Sequence, residues 1–254
     1  MRLALLMLWL LAPDLRALQL YERMQFQPVD PKNDAARRVV EILQKKEHWV
    51  GAYSALSDRF GPFPDDLVVA VNFDLQGEEL AQGGGLKSKG IVSFNLEKLA
   101  EAQRAIDQVL EKKRLAEARR QRFVMTVPPL KFERILHHEL THVLQQNYDA
   151  PLWFCEGMAQ LAGDDPNVIC SFAHDKGKIQ SIDVHLQDRR DTYARGHFFW
   201  KWLDSRGLAQ RVFELTAVQR RGWKVALVEA TQLSWDVIVD MEREWSEREL
   251  DKLR

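Results

Sequence analysis

Cysteine is almost missing from this sequence, which has two cysteines in 254 residues. A disulfide scaffold is therefore excluded, and a hydrophobic core must hold the fold together. An excess of one charge is also missing, because 36 Lys and Arg residues face 37 Asp and Glu residues. No overall field draws such a chain to nucleic acid, so we expect no nucleic-acid partner. No apolar run reaches the roughly 18–20 residues of a membrane-spanning helix, which excludes a polytopic membrane protein.

The first residues have the features of a secretory signal peptide, which we place at residues 1–17. Arg2 is positively charged, residues 3–13 (LALLMLWLLAP) are uncharged and rich in leucine, and Ala17 is a small residue suited to cleavage. The alternatives are an uncleaved N-terminal anchor and a buried first helix of the domain. We expect a periplasmic or secreted protein, with peripheral membrane association through the N-terminus if the segment is retained.

Two features have alternative interpretations that the sequence leaves open. A disulfide between Cys155 and Cys170 would stabilise an exported protein by about 3 kcal/mol on a loop-entropy model, but two buried thiols fit the sequence equally well. Residues 112–122 carry six basic groups and one acid. We interpret them as a solvated helix end, and a docking patch for an acidic partner or lipid headgroups is the alternative.

The pattern of apolar residues predicts an α+β fold. Residues 67–73 (LVVAVNF) and 91–95 (IVSFN) predict strands, and the glycine-rich residues 77–90 between them predict a flexible hairpin loop. Helical spacing covers most of the remaining chain, in residues 34–60, 96–122, 130–146, 151–163, 191–205, 208–218, 223–230 and 234–249. Asp34 is placed to cap the first of these helices. Strands in the first half and helices in the second half indicate two subdomains.

The strongest chemical signal is the pentapeptide His138-Glu139-Leu140-Thr141-His142. Residues four apart on a helix lie on one face, so both imidazoles can bind one zinc ion. Glu139 is turned by about 100° from His138, which places it beside the metal site rather than on the metal. A carboxylate in that position can take a proton from a water molecule that attacks a carbonyl.

A catalytic zinc site needs a third protein ligand, and Glu156 is the candidate. It lies among apolar residues on the helix that follows, and a carboxylate in such surroundings is costly unless it is paired or binds a metal. The small residues Gly157 and Ala159 would let this helix approach its neighbour closely. A surface carboxylate on the exposed side of the helix is the alternative.

These two motifs resemble those of the gluzincin metallopeptidases, and most of all the bacterial peptidase MA-like domain. The likeness rests on His138-Glu139-x-x-His142 followed by Pro151-Leu-Trp-Phe-Cys-Glu156-Gly-Met-Ala159, and it extends over roughly residues 35–250. Supporting stretches are Phe-Gly-Pro-x-Pro at 60–64, the strand at 90–95, and Tyr193-x-x-Gly196 with the aromatic residues after it.

The resemblance implies a zincin-like domain over residues 34–250 with a small N-terminal mixed sheet, long helices and an active-site helix. The N-terminal subdomain would cover about 34–147, and a mostly helical C-terminal subdomain about 148–250. It also implies that His138, His142 and Glu156 bind one zinc ion, that Glu139 is the general base and proton shuttle, and that Tyr193 donates to the oxyanion. An aromatic anchor of a core helix is the alternative role for Tyr193.

Further residues are assigned with the same family in view. His197 is the second candidate for the oxyanion donor, with an ordinary interface histidine as the alternative. By helix geometry we expect His137 to point away from the metal and to be structural. The strand at 91–95 would be the edge strand that pairs with an extended substrate. The thermolysin group has an acid four residues after its third ligand, but this chain has Gln160 there. Asp164, Asp165 or a backbone carbonyl would then have to orient a histidine.

The sequence therefore predicts a zinc metallopeptidase with a peptide or protein substrate. The first alternative is a non-catalytic zincin that keeps a structural zinc and acts as a binding or scaffold module at the cell envelope. The second is a membrane-associated interaction protein that uses the leucine-rich N-terminus and the basic residues 112–122.

Overall fold

The computed structural model of the chain describes residues 12–120, 131–145, 149–163, 167–183, 186 and 188–254. Over these residues the fold is α+β, as predicted, with a small mixed sheet and many helices. The elements are, in chain order, α1 (Ala12–Glu22), β1 (Gln25–Phe26), α2 (Asp34–Leu43), α3 (Lys46–Phe60), β2 (Val68–Asn72), β3 (Ala81–Leu86), β4 (Lys89–Phe94), α4 (Leu96–Ala118), α5 (Phe132–Gln145), α6 (Leu152–Gly163), α7 (Asn167–His174), α8 (Arg189–Ser205), α9 (Ala209–Phe213), a π-helical segment (Glu214–Val218), α10 (Trp223–Thr231) and α11 (Trp235–Asp251).

Four strands form the sheet in the order β1-β2-β4-β3. β2 pairs in parallel with β1 and β4, and β3 pairs with β4 in the antiparallel direction. Both strands predicted from the sequence are confirmed, with shifted ends. Val69 and Val71 of β2, and Val92 and Phe94 of β4, are all fully buried, because alternate residues of a strand point to the same face.

The prediction of a flexible loop in the glycine-rich segment was wrong. Residues 81–86 form β3, and β3 rather than β4 is the edge strand, so the prediction that residues 91–95 form the edge was also wrong. Glycine has a low strand propensity, but here tertiary packing requires it. A Cβ atom at Gly83 would lie 2.1 Å from the carbonyl oxygen of Glu139, so only glycine lets the strand run this close to α5.

The predicted helix at residues 34–60 is divided into α2 and α3. The cap of α2 is Asn33, which has an extended backbone and whose side-chain oxygen accepts a hydrogen bond from the backbone N–H of Ala36 at 2.9 Å. Asp34, predicted as the cap, is instead the first residue of the helix. Asn and Asp are both good caps, so a shift of one residue is within what the sequence pattern resolves.

The folded body begins before residue 34. Ala17 and Leu20 of α1 are 1% and 3% exposed and belong to the main core, and β1 pairs with β2. Cleavage after Ala17 would divide α1, and export with cleavage there stays a prediction. Residues 1–11, which carry most of the leader pattern, lie outside the described residues. Among the described residues, no helix is long and apolar enough to span a membrane.

Every element described after residue 131 is a helix. Helices α6 and α8 cross at two glycines, where a Cβ atom on Gly157 would lie 2.2 Å from a backbone atom of Gly196. Behind this crossing, Arg195 of α8 and Glu242 of α11 form an ion pair in which both side chains are 1% exposed. The close crossing fixes α8 against α6, the helix that carries Glu156, and the buried pair fixes α8 against α11. No disulfide joins Cys155 and Cys170, both of which are described.

Candidate metal centre

Two antiparallel helices, α5 and α6, carry the candidate site. The side-chain amide of Gln145 near the end of α5 donates to the carbonyl of Cys155 near the start of α6 at 2.8 Å. At the other end, a Cβ atom on Gly163 would contact the carbonyl oxygen of Arg134 at 3.0 Å. The antiparallel arrangement therefore places Glu156 opposite the histidines of α5.

The structure brings the three predicted ligands together. Nε2 of His138 and Nε2 of His142 are 3.2 Å apart, as expected for residues four apart on one helix face. Oε2 of Glu156 is 3.4 Å from Nε2 of His138 and 3.6 Å from Nε2 of His142. Among the described residues, this is the one cluster of three His, Cys, Asp or Glu side chains with ligand atoms close enough to hold a metal ion.

The geometry of this triangle fits a tetrahedral zinc site. Zinc bonds of about 2.0–2.1 Å at tetrahedral angles separate neighbouring ligand atoms by about 3.3–3.4 Å. The three measured separations, 3.2, 3.4 and 3.6 Å, lie around that value. Oε2 of Glu156 is also buried and makes no hydrogen bond of acceptable geometry. Burying a carboxylate oxygen in this way is costly, and a bound cation would remove the cost.

The charges of the triad are strongly coupled. Burial alone would raise the pKa of the Glu156 carboxyl, but the two imidazoles beside it outweigh burial and lower this pKa. Burial alone would lower the pKa of His142, but the Glu156 carboxylate outweighs it and raises the pKa above its ordinary value. Without a metal, a proton on His142 would therefore stabilise the buried carboxylate.

Gln145 fixes the orientation of the His142 ring. Because the Gln145 amide nitrogen donates to the carbonyl of Cys155, its Oε1 faces Nδ1 of His142 at 2.9 Å. Oε1 can only accept, so Nδ1 carries the proton and Nε2 presents its lone pair to the cluster when the ring is neutral. The Gln145 amide therefore orients the His142 ring, a role that the sequence had assigned to an acid or a backbone carbonyl. Asp164 and Asp165 lie outside the described residues.

We expect Gln145→Leu to weaken zinc binding by about 10- to 100-fold, because the His142 ring would lose the partner that sets its tautomer and orientation. Competition titration with a zinc chelator measures this affinity. Gln108→Leu, at an exposed glutamine on α4, serves as the control. Equal zinc affinities in the two variants would show that Gln145 does not contribute to the metal site.

Glu139 lies beside the triad rather than within it. It is 6% exposed and packs against Gly83 of the edge strand β3, whose backbone N–H lies near its carboxylate. Burial raises the pKa of the Glu139 carboxyl, which brings its basicity closer to what proton transfer near neutral pH requires. The spacing argument predicted this position, but not the contact with Gly83.

Tyr193 reaches the same site from α8. Its ring is nearly parallel to that of His138, with 6.2 Å between the ring centroids, and its hydroxyl lies close enough to the Glu156 carboxylate for that charge to act on it. Burial and the Glu156 charge raise the pKa of Tyr193, so the hydroxyl stays protonated and can donate. Arg189 lies over the Tyr193 ring at 5.2 Å and donates to its hydroxyl at 3.4 Å.

The two other histidines assigned from the sequence, His137 and His197, are not part of the triad. His197 is 6% exposed and is not among the residues that line the cavity, so Tyr193 is the better placed of the two candidate donors. The His137 ring lies half-buried near the backbone of Ala162, between α5 and α6. That contact agrees with the structural role predicted for His137.

The triad opens into a cavity of about 970 Å³, a size that accommodates a peptide segment. One side of the cavity is the edge strand β3 with the residues before it, and the other sides are formed by α5, α6 and α8. An arginine on α8 joins the two sides, because Arg189 forms a two-point ion pair with Glu79 at 2.6 and 2.7 Å.

Sequence reasoning missed several of these residues. Gln145 lies three residues after His142, a spacing that puts two side chains side by side on a helix, so it could have been found from the sequence. The contact of Gly83 with α5 and the Arg189–Glu79 ion pair both depend on which strand forms the edge of the sheet. No local pattern contains that information.

Comparison of the chain with protein-family models, with curated proteins and with solved structures gave no match.

Proposed function

We propose that this protein is a zinc-dependent peptidase with a zincin-like fold. The observation that carries the proposal is the triangle of His138 Nε2, His142 Nε2 and Glu156 Oε2, with separations of 3.2–3.6 Å. A purely structural zinc site needs neither an adjacent buried carboxylate nor an open cavity. This site has both, in Glu139 and in the cavity that the triad faces.

The chain's own residues would divide the work of hydrolysis. Zinc held by the triad would supply Lewis acidity and make water a stronger acid. Glu139 would take the proton from the water molecule whose oxygen attacks the peptide carbonyl carbon. As the carbon–nitrogen bond breaks, Glu139 would pass that proton to the leaving amine, so that one water is consumed and a carboxylic acid and an amine are formed.

Two further groups would hold the substrate and the developing charge. The hydroxyl of Tyr193 would donate to the carbonyl oxygen as it becomes negative, since its raised pKa keeps the proton in place. The edge strand β3 would pair with an extended peptide along the cavity. The substrate is therefore a peptide or an extended segment of a protein.

Removal and return of the metal test this proposal. We expect the purified protein to hydrolyse members of a peptide library, to lose this activity in a chelator, and to regain it with one equivalent of zinc. Zinc binding without hydrolysis of any peptide would favour the non-catalytic binding module instead. Export from the cytoplasm stays a prediction, which fractionation of the full-length protein would test.

A further inference from the structure

Arg134 lines the cavity but, unlike the two other arginines there, has no ion pair with a described residue. The cavity is lined by Arg134, Arg189 and Arg190. Arg189 pairs with Glu79, and Arg190 pairs with Asp175. The guanidinium of Arg134 has no ion pair or hydrogen bond with any residue that the structure describes.

Position brings Arg134 close to the metal site. It lies four residues before His138 on α5, which puts it on the same helix face one turn away, a rise of about 6 Å. Its side chain is half-buried, and the adjacent Glu133 is committed to His48 at 3.1 Å. A cationic group therefore lines the cavity one helical turn from His138, without an ion pair to any described residue.

On the facing helix α6, the side-chain amide of Gln160 has an oxygen without a hydrogen-bond partner. Gln160 lies four residues after Glu156 on α6, lines the same cavity and is 5% exposed. Its Oε1 is buried without a hydrogen-bond partner. Gly163, on the next turn of α6, packs against the backbone of Arg134 and Cβ of His138, so this part of α6 faces the first turns of α5. Rotation of the amide about its last torsion would let it donate to or accept from a ligand.

We propose that Arg134 and Gln160 form a subsite for a carboxylate of the substrate. An arginine binds a carboxylate through two parallel charge-assisted hydrogen bonds, and the Gln160 amide hydrogen-bonds to the same carboxylate or to the N–H next to it. The rise of about 6 Å from His138 matches about two residues of extended peptide. The substrates are therefore peptides with a carboxylate within about two residues of the scissile bond. This inference rests on the proposed function.

Binding to a protein that cannot turn over tests the subsite separately from hydrolysis. We would load Glu139→Gln protein with zinc and titrate it by calorimetry with N-acetyl-trialanine, with its C-terminal amide, and with the amide that has Asp as the third residue. The free acid is expected to bind about 10- to 100-fold more tightly than the alanine amide. Tight binding of the Asp peptide as well would show that a side-chain carboxylate also fits, and weak binding would restrict the subsite to a chain terminus.

Variants of Arg134 decide whether this residue causes the preference. In Arg134→Gln the preference for the acid should disappear, in Arg134→Lys it should be intermediate, and in Arg114→Gln it should be unchanged. Arg114 is the control because it is exposed on α4 and does not line the cavity. If Arg134→Gln fails to fold, the comparison of the wild type with Arg134→Lys still tests the role of the arginine. The lysine variant keeps the charge and the helix contacts.

Two results would overturn the inference. The first is equal binding of acid and amide by the protein with Arg134 intact. The second is a preference for the acid that persists in Arg134→Gln, as expected if zinc alone binds the carboxylate. If the protein binds carboxylates selectively but the wild type hydrolyses no peptide, the proposed peptidase function is refuted and the carboxylate subsite is still supported.

Discussion

Replacement of Glu139 by Gln is expected to lower peptide hydrolysis by roughly 10²- to 10⁴-fold while zinc stays bound. Glutamine keeps the shape of the side chain and its contact with Gly83, but it cannot take a proton from water. The three proposed metal ligands are untouched, because Glu139 is not part of the triad. Initial rates at saturating peptide, together with the zinc content of the same sample, measure the two effects independently.

Glu133→Gln is the matched control for this prediction, because Glu133 is on the same helix but its side chain is 56% exposed and outside the cavity. It should hydrolyse peptides like the wild type. Full activity in Glu139→Gln would refute Glu139 as the general base. Loss of zinc from that variant would show instead that the carboxylate helps to hold the metal.

Gly157→Ala is expected to destabilise the protein by about 3 kcal/mol or more and to release zinc. The added Cβ atom would lie 2.2–2.3 Å from three backbone atoms of Gly196, so α6 and α8 would have to separate. Glu156 immediately precedes Gly157, so this movement would displace the carboxylate from the two histidines. Urea unfolding followed by circular dichroism and zinc analysis of the variant measure both consequences.

Gly51→Ala controls for the substitution itself. Gly51 is exposed within α3, and a Cβ atom there would meet nothing within 4 Å. Alanine is a better helix former, so this variant should be more stable than the wild type by about 0.5–1 kcal/mol. A wild-type urea midpoint and full zinc content in Gly157→Ala would contradict the close helix crossing.

The sequence was most informative where one helix contains the whole pattern. His138 and His142 come together because the α-helix itself determines the distance between positions four apart. Glu156 required a second inference, from the cost of a carboxylate among apolar residues, and the antiparallel packing of α5 and α6 brings it to the histidines. Val69 and Val92 were likewise predictable, since alternation along a strand is local.

The sequence was least informative where distant contacts determine the structure. The glycine-rich segment has a low strand propensity, yet pairing with β4 and the closeness of α5 make it the edge strand. Arg189 and Glu79 are 110 positions apart in the chain and meet only after the sheet and α8 are assembled. The role of Ala17 also depends on the tertiary structure, since a small residue suits both a cleavage site and a buried helix face.

Titration of chelator-treated protein with zinc, followed by calorimetry, tests the central claim most directly. We predict one zinc ion per wild-type chain, proton release on binding because zinc displaces the proton from His142, and weaker binding as the pH falls. Glu156→Ala should lose most of this affinity. No zinc binding by the wild type, or equally tight binding by Glu156→Ala, would contradict the assignment of His138, His142 and Glu156 as the ligands of one metal ion.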